Sequence, residues 1–236
     1  MDEKEINEKP MKHRKGLSVF FNILIVFLSL IALAVAGVLI YQKRYLTPFW
    51  VHGQSMYPTL NRYAEDKDHN VCGENGKDSG IYNLDYIAVD THERARKNLK
   101  RFNVINCYYS ADDKVQKIKR VIGLPGETIK FGQGDDNGTL YVKEGDSFVA
   151  VEQPIENRYV TEGYYPNGEI TLGSDEYYVC GDNRIGDNSS DSRKNGPIKY
   201  SWIVGKVVCV CAHCDIELQD GAYKPVNIHH FIPRFL

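Results

Sequence analysis

The sequence predicts a mainly β protein with antiparallel sheets, carried behind one N-terminal membrane helix. Three observations carry that prediction. Leu17 to Tyr41 is an uncharged run of 25 residues. Beyond it, short segments rich in Val, Ile, Tyr and Phe alternate with Gly, Pro, Asn and Asp. Sixteen Tyr, nine Phe, 20 Gly and nine Pro among 236 residues match a β composition with many turns. A formal net charge of −2 gives no electrostatic basis for nucleic-acid binding. A mean hydropathy of −0.41 excludes a polytopic membrane protein but leaves room for one span.

The apolar run, as a helix, is roughly 37 Å long at ~1.5 Å per residue, more than the ~30 Å hydrocarbon core of a bilayer. A cleaved signal peptide is the competing reading, with Ala34-Val35-Ala36 as the cleavage site. The run is longer than the ~7–15 apolar residues of such peptides and continues past Ala36 to Tyr41, which favours an uncleaved anchor over residues 16–41. Lys4, Lys9, Lys12, Arg14 and Lys15 precede it, and only Lys43 and Arg44 follow closely. The positive-inside rule then puts residues 1–15 in the cytoplasm and 42–236 outside, in a single-pass cell-membrane protein. Tyr45, Phe49 and Trp50 suit the outer interfacial belt. Removing the five basic and four acidic residues of 1–15 leaves 24 Lys+Arg against 27 Asp+Glu outside, no sign of docking to anionic lipid.

Residues 61–84 read as an exposed loop. Within it Asp66-x-Asp68-x-Asn70 starts like a calcium loop, but Val71 and Lys77 stand where Gly and Glu belong. Strands are expected at 86–89, 103–109, 115–122, 128–131, 139–142, 147–151, 169–172, 177–180 and 201–210, and a weak helix at 91–101. Residues of about 130–175 form a β-rich accessory subdomain.

Three segments hold the residues for chemistry. Gly53-Gln54-Ser55-Met56-Tyr57-Pro58-Thr59-Leu60 sets a serine between Gly and Pro, by itself a turn. Tyr57 stands where a nucleophile elbow needs Gly, so an α/β-hydrolase is disfavoured. Lys119-Arg120-Val121-Ile122-Gly123-Leu124-Pro125-Gly126 reads as a strand entering a turn. Adjacent strand residues face opposite ways, so one of Lys119 and Arg120 can point inward while the other stays solvated. Gly181-Asp182-Asn183-Arg184 and Asn188-Ser189-Ser190-Asp191-Ser192-Arg193 form a polar loop.

In this order, behind an N-terminal span, the three segments resemble the bacterial type I signal peptidase family, in the single-span form common in Gram-positive members. The likeness covers about residues 12 to 210. It implies cleavage of signal peptides from exported preproteins at the outer membrane face, with no cofactor and by a monomer. Ser55 corresponds to the nucleophile and Lys119 to the general base, a Ser/Lys variant of triad logic. A free lysine titrates at about 10.4, leaving roughly one neutral amine in 2,500 at pH 7, so Lys119 must be desolvated. By the same resemblance Ser189 orients the amine, Asp191 and Arg193 form a supporting ion pair, and Asp182 and Arg184 are structural. The backbone N–H of Ser55 is the oxyanion donor. Some relatives add a hydroxyl at the position of Gly53, where this chain has none.

Three features depart from the family pattern. The segment that usually reads Arg-Gly-Asp-Ile-Val-Val reads Arg101-Phe102-Asn103-Val104-Ile105-Asn106, without the carboxylate. Ile185-Gly186 resembles a two-residue insertion able to move Ser189. The 61–84 loop is long. These motivate a rival reading, a membrane-tethered β-domain binding module with impaired catalysis. The six cysteines, 72, 107, 180, 209, 211 and 214, leave disulfide, zinc and inert thiol open, with Cys209, Cys211 and Cys214 as weak metal candidates. His229 and His230 read as part of a solvated tail, and His52 lacks the third member that a Ser–His assignment needs.

Overall fold

The computed structural model describes residues 13–61, 84–113, 115–219 and 222–236. Cys72 and the calcium-like stretch Asp66–Asn70 lie outside the described residues. The chain divides into two units, residues 1–44 and 45–236.

In the first unit the uncharged run does what its composition dictates. It forms helix α1 (His13–Tyr45), 33 residues, with every side chain from Leu17 to Arg44 exposed. A helix that is apolar all round over this length is suited to a lipid surround. It ends later than the apolar run because Lys43 and Arg44 fall in its last turn, where cations favour the helix dipole.

The second unit is mainly β. Its larger sheet comprises β1 (Leu46–Trp50), β2 (Leu84–Asp90), β3 (Val104–Cys107), β4 (Lys117–Gly123), β9 (Glu176–Cys180), β10 (Ile198–Lys199), β11 (Ile203–Gln219) and β12 (Ala222–Phe235). The order is β1-β2-β11-β3-β4-β9-β10, every pair is antiparallel, and β12 lies against β11. The smaller sheet, β7-β6-β5-β8, is built from β5 (Thr128–Phe131), β6 (Leu140–Glu144), β7 (Ser147–Val151) and β8 (Ile170–Thr171). It is inserted between the lysine segment and the Gly-Asp-Asn-Arg segment. Three short helices, α2 (Glu93–Lys97), α3 (Asn157–Thr161) and α4 (Ser192–Asn195), complete the unit. The weak helix expected over 91–101 shrinks to the five residues of α2, stopped by Asn98.

The apolar residues gather in three cores. Ile122, Ile129, Leu140 and Tyr178 join the smaller sheet to the larger, and Ile105, Val121, Val179 and Ile203 fill a second core. The third packs Val51, Met56 and Leu60 onto Ile87, Val104, Val207 and Val210. That last cluster positions the site. Val51 precedes the serine turn, Met56 follows Ser55 directly and Leu60 closes the turn; all three are buried in the sheet's core, so the turn that carries Ser55 is held at both ends.

One expectation fails outright. The C-terminal residues are not a solvated tail. They form β12, which pairs with β11 from Cys209↔Phe235 to Gln219↔Ala222. His229 and His230 belong to this strand. Polar and β-branched residues interleave there without the clean alternation that announces a strand.

Candidate active site

Ser55 sits in the compact turn 53–60. Gly53 adopts φ +83, Tyr57–Pro58 is cis, and Tyr57 N–H donates to Gln54 O at 3.0 Å. The opposite wall is central strand β4. Lys119 Nζ lies 2.8 Å from Ser55 Oγ and 2.9 Å from the Ile118 carbonyl. Its side chain comes from the strand position paired with Ile105 and is only 3 % exposed. Burial pushes the amine below the usual lysine range. Asp191 and Asp182 are the nearby carboxylates that pull the other way.

Both carboxylates are already claimed. Arg193 grips Asp191 with Nε–Oδ1 at 2.8 Å and Nη2–Oδ2 at 2.9 Å. Arg120 grips Asp182 with Nε–Oδ1 at 2.8 Å and Nη2–Oδ2 at 2.6 Å. Burial tends to raise Asp191, but its bonds to Arg193 outweigh that and hold it below the ordinary carboxylate range. Two guanidiniums thus offset the two charges that favour the Lys119 ammonium, and desolvation is the largest influence on the amine.

This overturns one expectation. Arg120 is not solvated; it is 7 % exposed, and Phe102 O accepts a further hydrogen bond from it at 2.8 Å. Alternation leaves a cation wet only where one face of the strand meets solvent, whereas β4 is central and its residues 119–123 are buried on both faces. A second arginine is tolerated there because Asp182 compensates it. Arg184, fully buried, donates to Gly181 O at 3.1 Å and to Tyr165 OH at 3.3 Å, a structural placement.

The Gly-Asp-Asn-Arg segment is bolted to the nucleophile turn. Asn183 N–H donates to Ser55 O at 3.1 Å, and Gln54 Nε2 donates to Asn188 Oδ1 at 2.9 Å. Asp191 Oδ2 accepts from Gly181 N–H at 2.9 Å. A Cβ on Gly181 would fall on Ser189 Oγ and Ser55 O, so only glycine allows this approach. Ser189 is buried beside the Asp191 carboxylate, out of hydrogen-bonding alignment, and the Lys119 amine bonds to Ser55 and Ile118 instead. Ile185 and Gly186 form an outward turn, with Gly186 at φ +50 and exposed, while Ser189 keeps its buried place.

The altered stretch Arg101–Asn106 keeps a good part of its geometry. Asn103 Oδ1 accepts from Lys100 N–H at 2.9 Å, a bond a carboxylate oxygen would make equally. Phe102 adopts φ +69, where the family pattern has Gly, and carries that strain to aim its carbonyl at Arg120. His52 is exposed, edge-on to Trp50 at 6.2 Å. Cys107, Cys180, Cys209 and Cys211 are free thiols. Among the described residues no group of His, Cys, Asp and Glu could hold a metal ion, Cys209, Cys211 and Cys214 included. Two contributors were missed by sequence reasoning: Asn61, whose Nδ2 donates to Val51 O at 2.8 Å and to Gly53 O at 3.2 Å, and the C-terminal Arg234.

Against known proteins, the family model described as signal peptidase, peptidase S26, matches residues 23–212. The chain belongs to that family. Signal peptidase I of Bacillus amyloliquefaciens is 30 % identical over 182 residues, covering 74 % of this chain and 78 % of that protein. Signal peptidase I V of Bacillus subtilis is 38 % identical over 132 residues, 51 % and 71 % of the two chains. A solved signal peptidase I from Enterococcus faecalis aligns at 25 % identity over 46 % of this chain and 96 % of its own, with a TM-score of 0.34. Membership makes the chain a peptidase of the serine class, and its single N-terminal apolar helix fits membrane anchoring.

Proposed function

We propose that the chain is a membrane-anchored endopeptidase that removes N-terminal signal peptides from exported preproteins, with Ser55 as nucleophile and Lys119 as general base. The observation that carries this reading is the 2.8 Å contact between Ser55 Oγ and a buried Lys119 amine whose neighbouring carboxylates are both paired. With the amine neutral, Ser55 O–H donates to its lone pair, and one amine hydrogen goes to Ile118 O. As Oγ attacks the scissile carbonyl carbon, the proton passes to Nζ. The Ser55 N–H stabilises the oxyanion. The ammonium then protonates the leaving amine of the mature protein, and the signal peptide stays esterified to Ser55. Lys119, neutral again, takes a proton from water as it attacks the ester carbonyl, and the ammonium then returns that proton to Ser55 Oγ as the C–Oγ bond breaks and the peptide leaves with a free carboxyl group. The substrate enters extended, pairing as an added strand, with small side chains one and three residues before the cut. The N-terminus lies in the cytoplasm and residues 42–236 act, as a monomer, on the outer face.

The test uses the full chain in phospholipid vesicles with a purified preprotein. Wild type should cleave at one site; Ser55→Ala and Lys119→Met should not. Equal cleavage by wild type and Ser55→Ala overturns the reading, and the absence of cleavage by wild type favours a binding module.

A further inference from the structure

The match to the family ends at residue 212, yet the chain goes on through the rest of β11 and all of β12. This extension returns to the nucleophile turn. Beyond β12, Leu236 N–H donates to Val208 O at 3.1 Å, and the Leu236 side chain packs on the core that buries Met56 and Leu60. Arg234, opposite Val210 in the ladder, sends Nη2 to Thr59 O at 2.8 Å, four residues after Ser55. The same Nη2 is 3.7 Å from Asp85 Oδ2.

Asp85 is a buried carboxylate at the start of β2, with His213 Nδ1 at 2.7 Å from its Oδ1. It is tied to Asn61 twice: Asn61 N–H donates to Asp85 Oδ2 at 2.9 Å, and Asp85 N–H donates to Asn61 Oδ1 at 2.7 Å. Asn61 adopts φ +58, a conformation that asparagine tolerates better than most residues, and its amide holds the carbonyls of Val51 and Gly53. The turn bearing Ser55 is therefore gripped on both sides by one network. Asn61 takes the two carbonyls before the serine, and Arg234 takes the carbonyl after it. Asp85 links the two, and burial makes leaving its charge unmatched costly.

We propose that Arg234, on the C-terminal strand outside the family-matched region, is a positioning residue that fixes the Ser55 turn against Lys119 through Thr59, Asp85 and Asn61. The strand is a clamp on the nucleophile, and it touches neither Ser55 nor Lys119 itself. Misplacing an attacking atom by about 1 Å can cost on the order of 100-fold in rate without altering what binds substrate. The proposal rests on the assignment of Ser55 as nucleophile.

The experiment measures kcat and KM of the full chain in detergent micelles on a purified preprotein, alongside unfolding midpoints. Wild type, Ser55→Ala, Arg234→Met and Arg234→Lys are compared. Arg234→Met keeps the side chain's length but removes its donors. It should lower kcat on the order of 100-fold at unchanged KM. Arg234→Lys, which can still donate to Thr59 O, should recover at least a tenth of the wild-type kcat. Should Arg234→Met fail to fold, Arg234→Lys decides alone, by the same threshold. Wild-type kcat in folded Arg234→Met overturns the clamp. So does a loss confined to KM, or a folded Arg234→Lys below a tenth of wild type. A wild type no better than Ser55→Ala would instead sink the nucleophile assignment, an outcome distinct from any of these.

Discussion

Replacing Asp182 with Ala leaves the Arg120 guanidinium buried with its carboxylate gone. Two short charge-assisted bonds, at 2.8 and 2.6 Å, disappear, and among the described residues Phe102 O and Thr59 Oγ1 remain as acceptors. Arg120 cannot turn to water, because it is held in the central strand by β3 on one side and β9 on the other. Breaking such a pair costs about 3–5 kcal/mol, chiefly as the penalty of the stranded charge. At about 2–4 °C per kcal/mol for a unit of this size, the melting temperature should fall by about 6–20 °C. The measurement is unfolding of the full chain in detergent micelles, followed by fluorescence of Trp50 and Trp202. The double variant Arg120→Met/Asp182→Leu, which removes both charges, should recover most of the loss, since an apolar pair of similar volume is often neutral. A drop under about 1 kcal/mol for Asp182→Ala, or a double variant as unstable as the single, would refute the claim that Asp182 compensates a buried cation.

Other outcomes follow from the same geometry. Lys119 titrates lower in the folded than in the unfolded chain, so between the two values the unfolded state binds the extra proton and stability rises with pH. Lys119→Met should therefore be more stable than wild type at pH 7 in urea unfolding, by about 1.4 kcal/mol for each pH unit of the window. The advantage should shrink toward pH 10; a wild-type stability flat from pH 7 to 10 contradicts the burial of a neutral amine. Arg193→Gln frees the Asp191 charge, which favours the Lys119 ammonium, so the acid limb of kcat/KM should move to higher pH. Gly181→Ala should lower kcat on the order of 100-fold with little loss of secondary structure by circular dichroism, because its Cβ meets Ser55 O and Ser189 Oγ. Burial pushes the Cys107 and Cys180 thiols up to about 12, so neither should react with iodoacetamide at pH 7.5 in the folded protein. Labelling of either within minutes, mapped by mass spectrometry, would contradict the packing around them.

Much of the site was legible because its chemistry is written in contiguous residues. Ser55, Lys119 and the Asp191–Arg193 pair each lie in a short segment whose pattern resembles a known one, and the structure brings all three segments together. Strands with clear alternation between turns were equally readable, as for β5 to β7. What stayed hidden is set by partners distant in sequence. Arg120 read as a wet cation because Asp182, 62 residues away, is invisible to strand periodicity. Ser189 corresponds by resemblance to a residue on the amine, whereas the Lys119 amine bonds to Ser55 and Ile118 and Ser189 lies buried beside Asp191. Phe102 breaks a glycine rule and survives because its carbonyl is needed by Arg120, which no local pattern reveals. The strand β12 was missed because His, Asn and Pro interrupt its apolar residues; pairing with β11 overrides that weak propensity.

The decisive measurement is the pH dependence of kcat/KM for cleavage of a preprotein by the full chain in lipid vesicles, for wild type and Lys119→Met. A buried Lys119 acting as base on Ser55 requires an acid limb whose apparent pKa lies clearly below the roughly 10.4 of a free lysine, and requires that limb to vanish with the activity in Lys119→Met. A limb at the free-lysine value, or the same profile retained in Lys119→Met, would show that this amine is not the base.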